Sequence, residues 1–179
     1  MKKQPEVTAK TKKAFMDAFC ELYSQKPIEK ISVQEITDKA GYNRSSFYQH
    51  FHDVYDLLDC LEKDLIDSIR QRIQVGKGSI QEMLSVFDDK GFYINALFGD
   101  YGGNRFIEKL KAAVPFEAHN LYITKDNSIT PYLIEFHLST VLSLLRLWYR
   151  RQRDISPELL LDLIFRLYTN GTSTIVKDL

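Results

Sequence analysis

Covalent and metallic staples are scarce in this 179-residue chain. Its only cysteines, Cys20 and Cys60, belong to no CxxC pair, which leaves no disulfide framework and no thiolate zinc site to organise a fold. Cys20 falls on the apolar side of an amphipathic stretch, so two reduced thiols in a cytosolic protein are expected. Eight glycines and five prolines are too few for a collagen-like or low-complexity chain. No apolar run approaches the ~18 residues that would span a bilayer. MKKQPEVTAKTKK opens the chain with charge but no following apolar core, so no secretory leader and no membrane association are expected, and the cytoplasm is the expected compartment. Catalytic signatures are missing too. There is no G-x-S-x-G elbow, no HExxH and no metal-spaced Cys/His cluster. The Gly76-Lys77-Gly78-Ser79 segment has Gln71 where a phosphate-binding loop needs its first glycine. The expectation is a non-enzyme without cofactor or metal.

Net charge is absent as well, with 24 basic against 24 acidic residues, but it is unevenly spread. Nine lysines and arginines against six acids leave the first 52 residues at +3 and the remainder at −3. A mildly basic head on an acidic body suits a nucleic-acid module joined to something else.

What the chain does contain is concentrated in Ser32 to Phe51, SVQEITDKAGYNRSSFYQHF. Ser32 and Glu35 have the spacing of a capping box, which satisfies orphan amides at a helix start. Val33, Ile36 and Ala40 follow at helical spacing. Gly41 stands where a helix end wants a residue tolerant of positive φ, and Asn43 can cap the next helix. The connection of about three residues is that of a helix-turn-helix. At 100° per residue, the second helix, about Arg44 to Phe51, turns Phe47 and Phe51 inward and Ser45, Ser46 and Gln49 outward. Tyr48 and His50 fall on its flanks and Arg44 at its N-terminal end. Glutamine can pair two-pronged with adenine, serine permits close approach, and hydroxyl or imidazole flanks reach phosphates. An ordinary amphipathic helical hairpin would show the same periodicity.

At these residues the chain resembles the TetR-type transcriptional regulators, from about residue 9 to 69. The family's Ser/Thr-x-x-x-Ile-Ala, Ala-Gly-Val-Ser and Tyr-x-His-Phe elements stand here as SVQEIT, AGYN and FYQHF, with DLLDCL opening the next helix. The resemblance implies phosphate contacts from Ser32, Tyr48 and His50, and base reading by Arg44, Ser45 and Gln49. Asn43 replaces the usual serine, one capping residue for another. Val54 replaces the lysine that commonly grips phosphate at the start of the fourth helix, and its loss should weaken backbone affinity.

The rest of the chain reads as all-α. Residues 1–8 form an expected arm, 9–69 the DNA-binding domain, and 70–179 a helical dimerisation and effector-binding domain. The first helix is placed at about Thr8 to Gln25, and a long helix at Asp53 to Val75, about 33 Å at 1.5 Å per residue. Short helices are expected from Ser79 to Phe87 and Lys90 to Phe98, then a longer one from Arg105 to about Thr124. The last two run from Pro131 to Arg151 and from Pro157 to Asn170, with Gly171 as the stop.

Those last two helices are apolar over most of their circumference, more than one core requires. A homodimer burying Leu138, Leu142, Leu145, Leu160, Leu163, Ile164 and Leu167 in a two-fold interface accounts for this; a single monomer core is the alternative. Two recognition helices related by a two-fold axis imply an inverted-repeat operator on double-stranded DNA. Aromatic residues in the body, Phe92, Tyr93, Phe98, Phe106, Tyr122 and Phe136, would line a pocket for a small apolar or aromatic effector, or simply fill a core. RLWYRRQRDISPELLLDLI in the tail resembles a Firmicutes TetR subgroup that includes the activator of dihydroxyacetone kinase genes. The expected function is a dimeric repressor released by its effector, the alternative a regulator working through a partner protein.

Overall fold

The computed structural model describes residues 5–75, 80–113 and 128–177, and every regular element among them is helical. In chain order these are α1 (Pro5–Tyr23), a 3₁₀ turn (Ile28–Lys30), α2 (Val33–Ala40), α3 (Arg44–Tyr48), α4 (Val54–Val75), α5 (Ile80–Phe98), α6 (Asn104–Ala113), α7 (Thr130–Arg150) and α8 (Pro157–Lys177). They divide into two compact units. One holds Met1–Ser68 and Asp89–Phe106, the other Ile69–Asp88 and Ile107–Leu179.

In the first unit, α1 brings Phe15, Phe19 and Cys20 into a core where all three are fully buried. The Phe15 ring meets Tyr42 and Phe47 at centroid distances of 5.4 Å and Phe51 at 6.4 Å, tilted and edge-on geometries favoured by aromatic quadrupoles. Leu57, Leu58, Leu61 and Leu65 close that core from α4. Burial, aided by the Asp17 carboxylate, pushes the Cys20 thiol up, which suits a packing residue rather than a reactive one.

Several boundaries differ from expectation; α3 ends at Tyr48, with Gln49 as its C-cap, rather than running to Phe51. The helix α1 begins at Pro5, so residues 5–8 are helical rather than part of an arm; proline is at home in a first turn, where its missing N–H has no partner to lose. Residues 80–98 form one helix instead of two, because Asp88, Asp89 and Gly91 are weak helix formers but leave the hydrogen-bond ladder possible. Helix α8 passes through Gly171 to Lys177 for the same reason. The end expected for α6 near Thr124, together with Tyr122, lies outside the described residues.

The first unit also reaches beyond residue 69. Within Asp89–Phe106, Ile94, Ala96, Leu97, Phe98 and Phe106 are buried, and the Tyr93 hydroxyl donates to Asp17 Oδ1 of α1. Arg105 pairs with Asp59 and lies 3.8 Å from the buried Glu62, both on α4. The bend between α5 and α6 is tight: a Cβ on Gly102 would stand 2.0 Å from the Leu97 carbonyl oxygen. Only glycine allows that approach.

In the second unit α7 and α8 pack on each other. Leu138, Leu142, Leu145, Trp148 and Tyr149 are buried from α7, and Leu160, Leu161 and Ile164 from α8. The turn joining them holds Gln152 at φ 57° and Arg153 at φ 60°, left-handed conformations costing an L residue about 1–2 kcal/mol each. Compensation comes from Arg153 N–H to Trp148 O at 2.8 Å, the Trp148 indole N–H to Ile155 O at 2.8 Å, and the Arg153 guanidinium 4.8 Å from the Trp148 ring centroid.

Candidate nucleic-acid interface

The Ser32–Phe51 stretch folds as a helix-turn-helix whose ends are all tied. Ser32 accepts from Glu35 N–H, while the Ser32 N–H and hydroxyl donate to Glu35 Oε2 at 3.0 and 2.9 Å. Gly41 ends α2 at φ 72°, and the Tyr42 N–H returns to Thr37 O. That bond and the one from Gly41 N–H to Asp38 O take up carbonyls that a helix end would leave open. Asn43 Oδ1 then accepts from Ser46 N–H at 2.8 Å and from the Ser45 hydroxyl at 2.7 Å.

Helix α3 stands on this platform with its two faces sharply separated. Phe47 and Phe51 are 0% and 2% exposed, whereas Ser45 and Gln49 are exposed and Ser46 is half-buried. With its proton engaged by Asn43, Ser45 presents its oxygen as an acceptor. Arg44 Nη2 donates to the Tyr48 hydroxyl at 3.2 Å, and its guanidinium lies 6.0 Å from the Tyr48 ring. Tyr48 therefore keeps its own proton available, and it is exposed on the flank of the ridge. An acceptor, an amide and a guanidinium on one protruding edge, with a phenol beside them, can read bases and touch phosphates.

Three neighbours behave differently from their sequence reading. The His50 ring lies 6.2 Å from those of Phe15 and Phe51, and its Nε2 is buried. A phosphate contact from His50 would have to use Nδ1 or a rotated ring. Ser32 is exposed, yet its hydroxyl already serves Glu35, so a phosphate must compete with that carboxylate. Glu35 is held down to about 2, first by the Lys26 ammonium, then by the Ser32 amide and hydroxyl. Val54 is buried, 7% exposed, and so extends the core where the family places a cation. Above it Asp53 Oδ1 accepts from Asp56 N–H and Asp56 Oδ2 from His52 N–H, both at 2.8 Å. These carboxylates occupy two amides around the start of α4, where a helix N-terminus otherwise receives phosphate.

Sequence reasoning missed that Lys26 pairs with Glu35 and Lys39 with Glu21. Both acids were visible, but their partners are nine and eighteen residues away, beyond helical spacing. Arg44 is the cation that the recognition helix itself presents.

The aromatic and leucine side chains named for the other two expected sites fall in different environments. Phe98 and Phe106 pack on each other at 5.6 Å and are buried, while Phe92 and Phe136 are 49% and 53% exposed. Tyr93 is half-buried and committed to Asp17. These aromatic rings fill a core or face outward. Of the leucines assigned to a subunit interface, Leu138, Leu142, Leu145, Leu160 and Ile164 are buried within the chain itself. Leu163 and Leu167 are exposed, in line with Leu159 at four-residue intervals, and Leu147 and Phe165 are exposed as well. Helix α8 is apolar on two sides as the sequence suggested, with α7 covering only one.

Among the described residues no helix is long and apolar enough to cross a membrane. Residues 15–59 match the family model for bacterial regulatory proteins of the tetR family. An uncharacterised HTH-type transcriptional regulator from Haemophilus influenzae is 31% identical over 86 residues, 44% of this chain and 42% of that relative's length. A TetR transcriptional regulator from Streptococcus agalactiae 2603V superposes with a TM-score of 0.67 at 26% identity, covering 91% of this chain and 96% of its own. The dihydroxyacetone kinase operon activator DhaS superposes at 0.62 with 21% identity, over 92% and 97% of the two chains, a likeness of fold. Residues 15–59 thus carry the helix-turn-helix that the tetR family model describes, and the course of the helices over most of the chain resembles that of a TetR transcriptional regulator.

Proposed function

We propose that this protein binds an inverted-repeat DNA operator as a homodimer and regulates transcription from it, in the cytoplasm. The observation carrying the reading is the separation of α3 and the turn after it into a buried Phe47–Phe51 edge and an exposed Ser45–Gln49 edge. Ser45, Ser46, Gln49 and Arg44 read base edges; Tyr48 and, less directly, Ser32 and His50 hold phosphates. Dimerisation is supported by the bare row Leu159, Leu163 and Leu167, which a two-fold partner helix would cover. Repression is the proposed sign, since a dimer seated on an operator blocks other proteins from the same duplex.

Release by a small aromatic effector has weaker support, because the rings expected to line its pocket pack together or face outward. A regulator that responds to a partner protein fits that arrangement better. The fold likeness to an operon activator admits activation as the alternative sign.

Selection from a random duplex pool tests the proposal. The enriched sequences should contain inverted repeats with half-sites about one helical turn apart or somewhat more, and the binding constant should fall steeply with salt. Enrichment of single unpaired sites, or no enrichment at all, would overturn it.

A further inference from the structure

The strongest concentration of positive charge lies far along the chain from the helix-turn-helix. Four of the nine arginines, Arg146, Arg150, Arg151 and Arg153, fall within eight residues at the end of α7 and in its turn to α8. Arg150, Arg151 and Arg153 are exposed. A helix C-terminus favours cations, but that preference is satisfied within the last turn and does not ask for three exposed guanidinium groups. Nor does it explain the backbone. Glycine would fit φ 60° without strain, yet Arg153 stands there, stacked on the buried Trp148. Strain kept at an exposed charged turn points to a use other than folding.

We infer that the α7–α8 turn is a docking surface for an acidic segment of another protein. Charge complementarity selects the sign of the partner in a chain of zero net charge. Acids interleaved with the arginines select its class. Asp154 bonds Arg151 at 2.5 Å, Glu158 is exposed one turn on, and Asp162 bonds Arg166 at 2.8 Å. A nucleic-acid backbone, negative at every step, would meet those carboxylates; separate glutamate or aspartate side chains can be placed between them. Arginine forks pair two-pronged with carboxylates. The inference stands apart from DNA recognition, which uses residues of the first unit.

The test uses the full chain and two fluorescent probes, a twelve-residue oligoglutamate and a duplex lacking inverted repeats, followed by anisotropy. Oligoglutamate should bind, weaken as salt rises, and lose about tenfold or more in affinity to R150A/R151A/R153A while Arg44→Ala leaves it unchanged. Arg153→Gly separates interaction from folding: melting temperature should hold or rise as the left-handed strain is relieved, while probe affinity falls. No oligoglutamate binding, or binding indifferent to the three arginines, overturns the inference. So does a parallel loss of duplex binding in the triple variant, which would make the turn a nucleic-acid surface. A loss of dimer in light scattering would assign it to the subunit interface and overturn it equally. A drop in melting temperature with unchanged affinity in Arg153→Gly would make the stack on Trp148 purely structural and overturn the inference as well.

Discussion

Helices α2, α3 and α4 each begin under a side-chain cap, from Ser32, Asn43 and Asp53, whereas α7 begins at Ile129 with none. The contrast extends to apolar surface. Around the helix-turn-helix, Phe15, Ile36, Phe47 and Phe51 are all but sealed from solvent, while α7 and α8 leave Leu147, Leu159, Leu163, Phe165 and Leu167 about half open. The head closes its aromatic core by itself. The tail pair is closed on one side and exposes leucines and a phenylalanine on the other.

Breaking the closed core should produce the largest effect. Phe47→Ala removes a ring packed between Phe15 and Phe51 and should destabilise the chain by about 3–5 kcal/mol in urea unfolding. Leu163→Ala, on the open side, should change monomer stability far less; equal losses would erase the distinction. Leu163→Arg attacks the tail where it is unfinished. It should weaken self-association at least about 100-fold, roughly 2.7 kcal/mol, read by light scattering, with helical content unchanged. A variant that stays dimeric at micromolar concentration would remove Leu163 from the interface.

Smaller changes probe the finished surface. Gln49→Ala should relax preference at one position of each half-site by about 1–3 kcal/mol, measured by competition among the four base pairs, with other positions unaffected. An untouched preference would mean that α3 faces the groove differently. Asn43→Ala deletes an acceptor shared by Ser45 and Ser46 and should cost about 1 kcal/mol of stability. Glu35→Gln addresses pH. A carboxyl held at about 2 in the fold, against an ordinary value of about 4.3 when unfolded, contributes stability that is complete above the higher value. That contribution is lost as pH falls through 4 toward 2. The wild-type acid-unfolding curve should therefore be steeper than that of Glu35→Gln in this window, and coincident curves would dismiss the Lys26–Glu35–Ser32 cluster as a stabilising element.

Local features were the legible ones. The capping box, the positive φ of Gly41 and the inward Phe47 and Phe51 all follow from spacings of three to five residues, where backbone geometry leaves few choices. Helix ends set by weak formers were less legible. Nothing in Asp88-Asp89-Lys90-Gly91 forbids a helix, and burial of Ile94 and Leu97 favours continuing it. Long-range choices escaped altogether. An all-round apolar helix shows that two sides will be covered but not which leucines meet which neighbour, so Leu160 and Ile164 went to the partner when they belong to the chain's own core. Likewise, Tyr93 and Phe98 looked like pocket lining because a periodic pattern cannot reveal that Asp17 and Phe106 await them.

The close approach at Gly102 has a consequence for how the chain can vary. Arg105 and Phe106 reach their partners Asp59 and Phe98 only because the preceding bend folds flat against Leu97. A single methyl group at 102 would push that bend outward and carry both side chains off their marks. In a saturation library this position should tolerate nothing but glycine, while Gly103, with open space around it, accepts substitution freely. Two neighbouring glycines would then have opposite histories, one pinned by a hydrogen atom and the other left to drift.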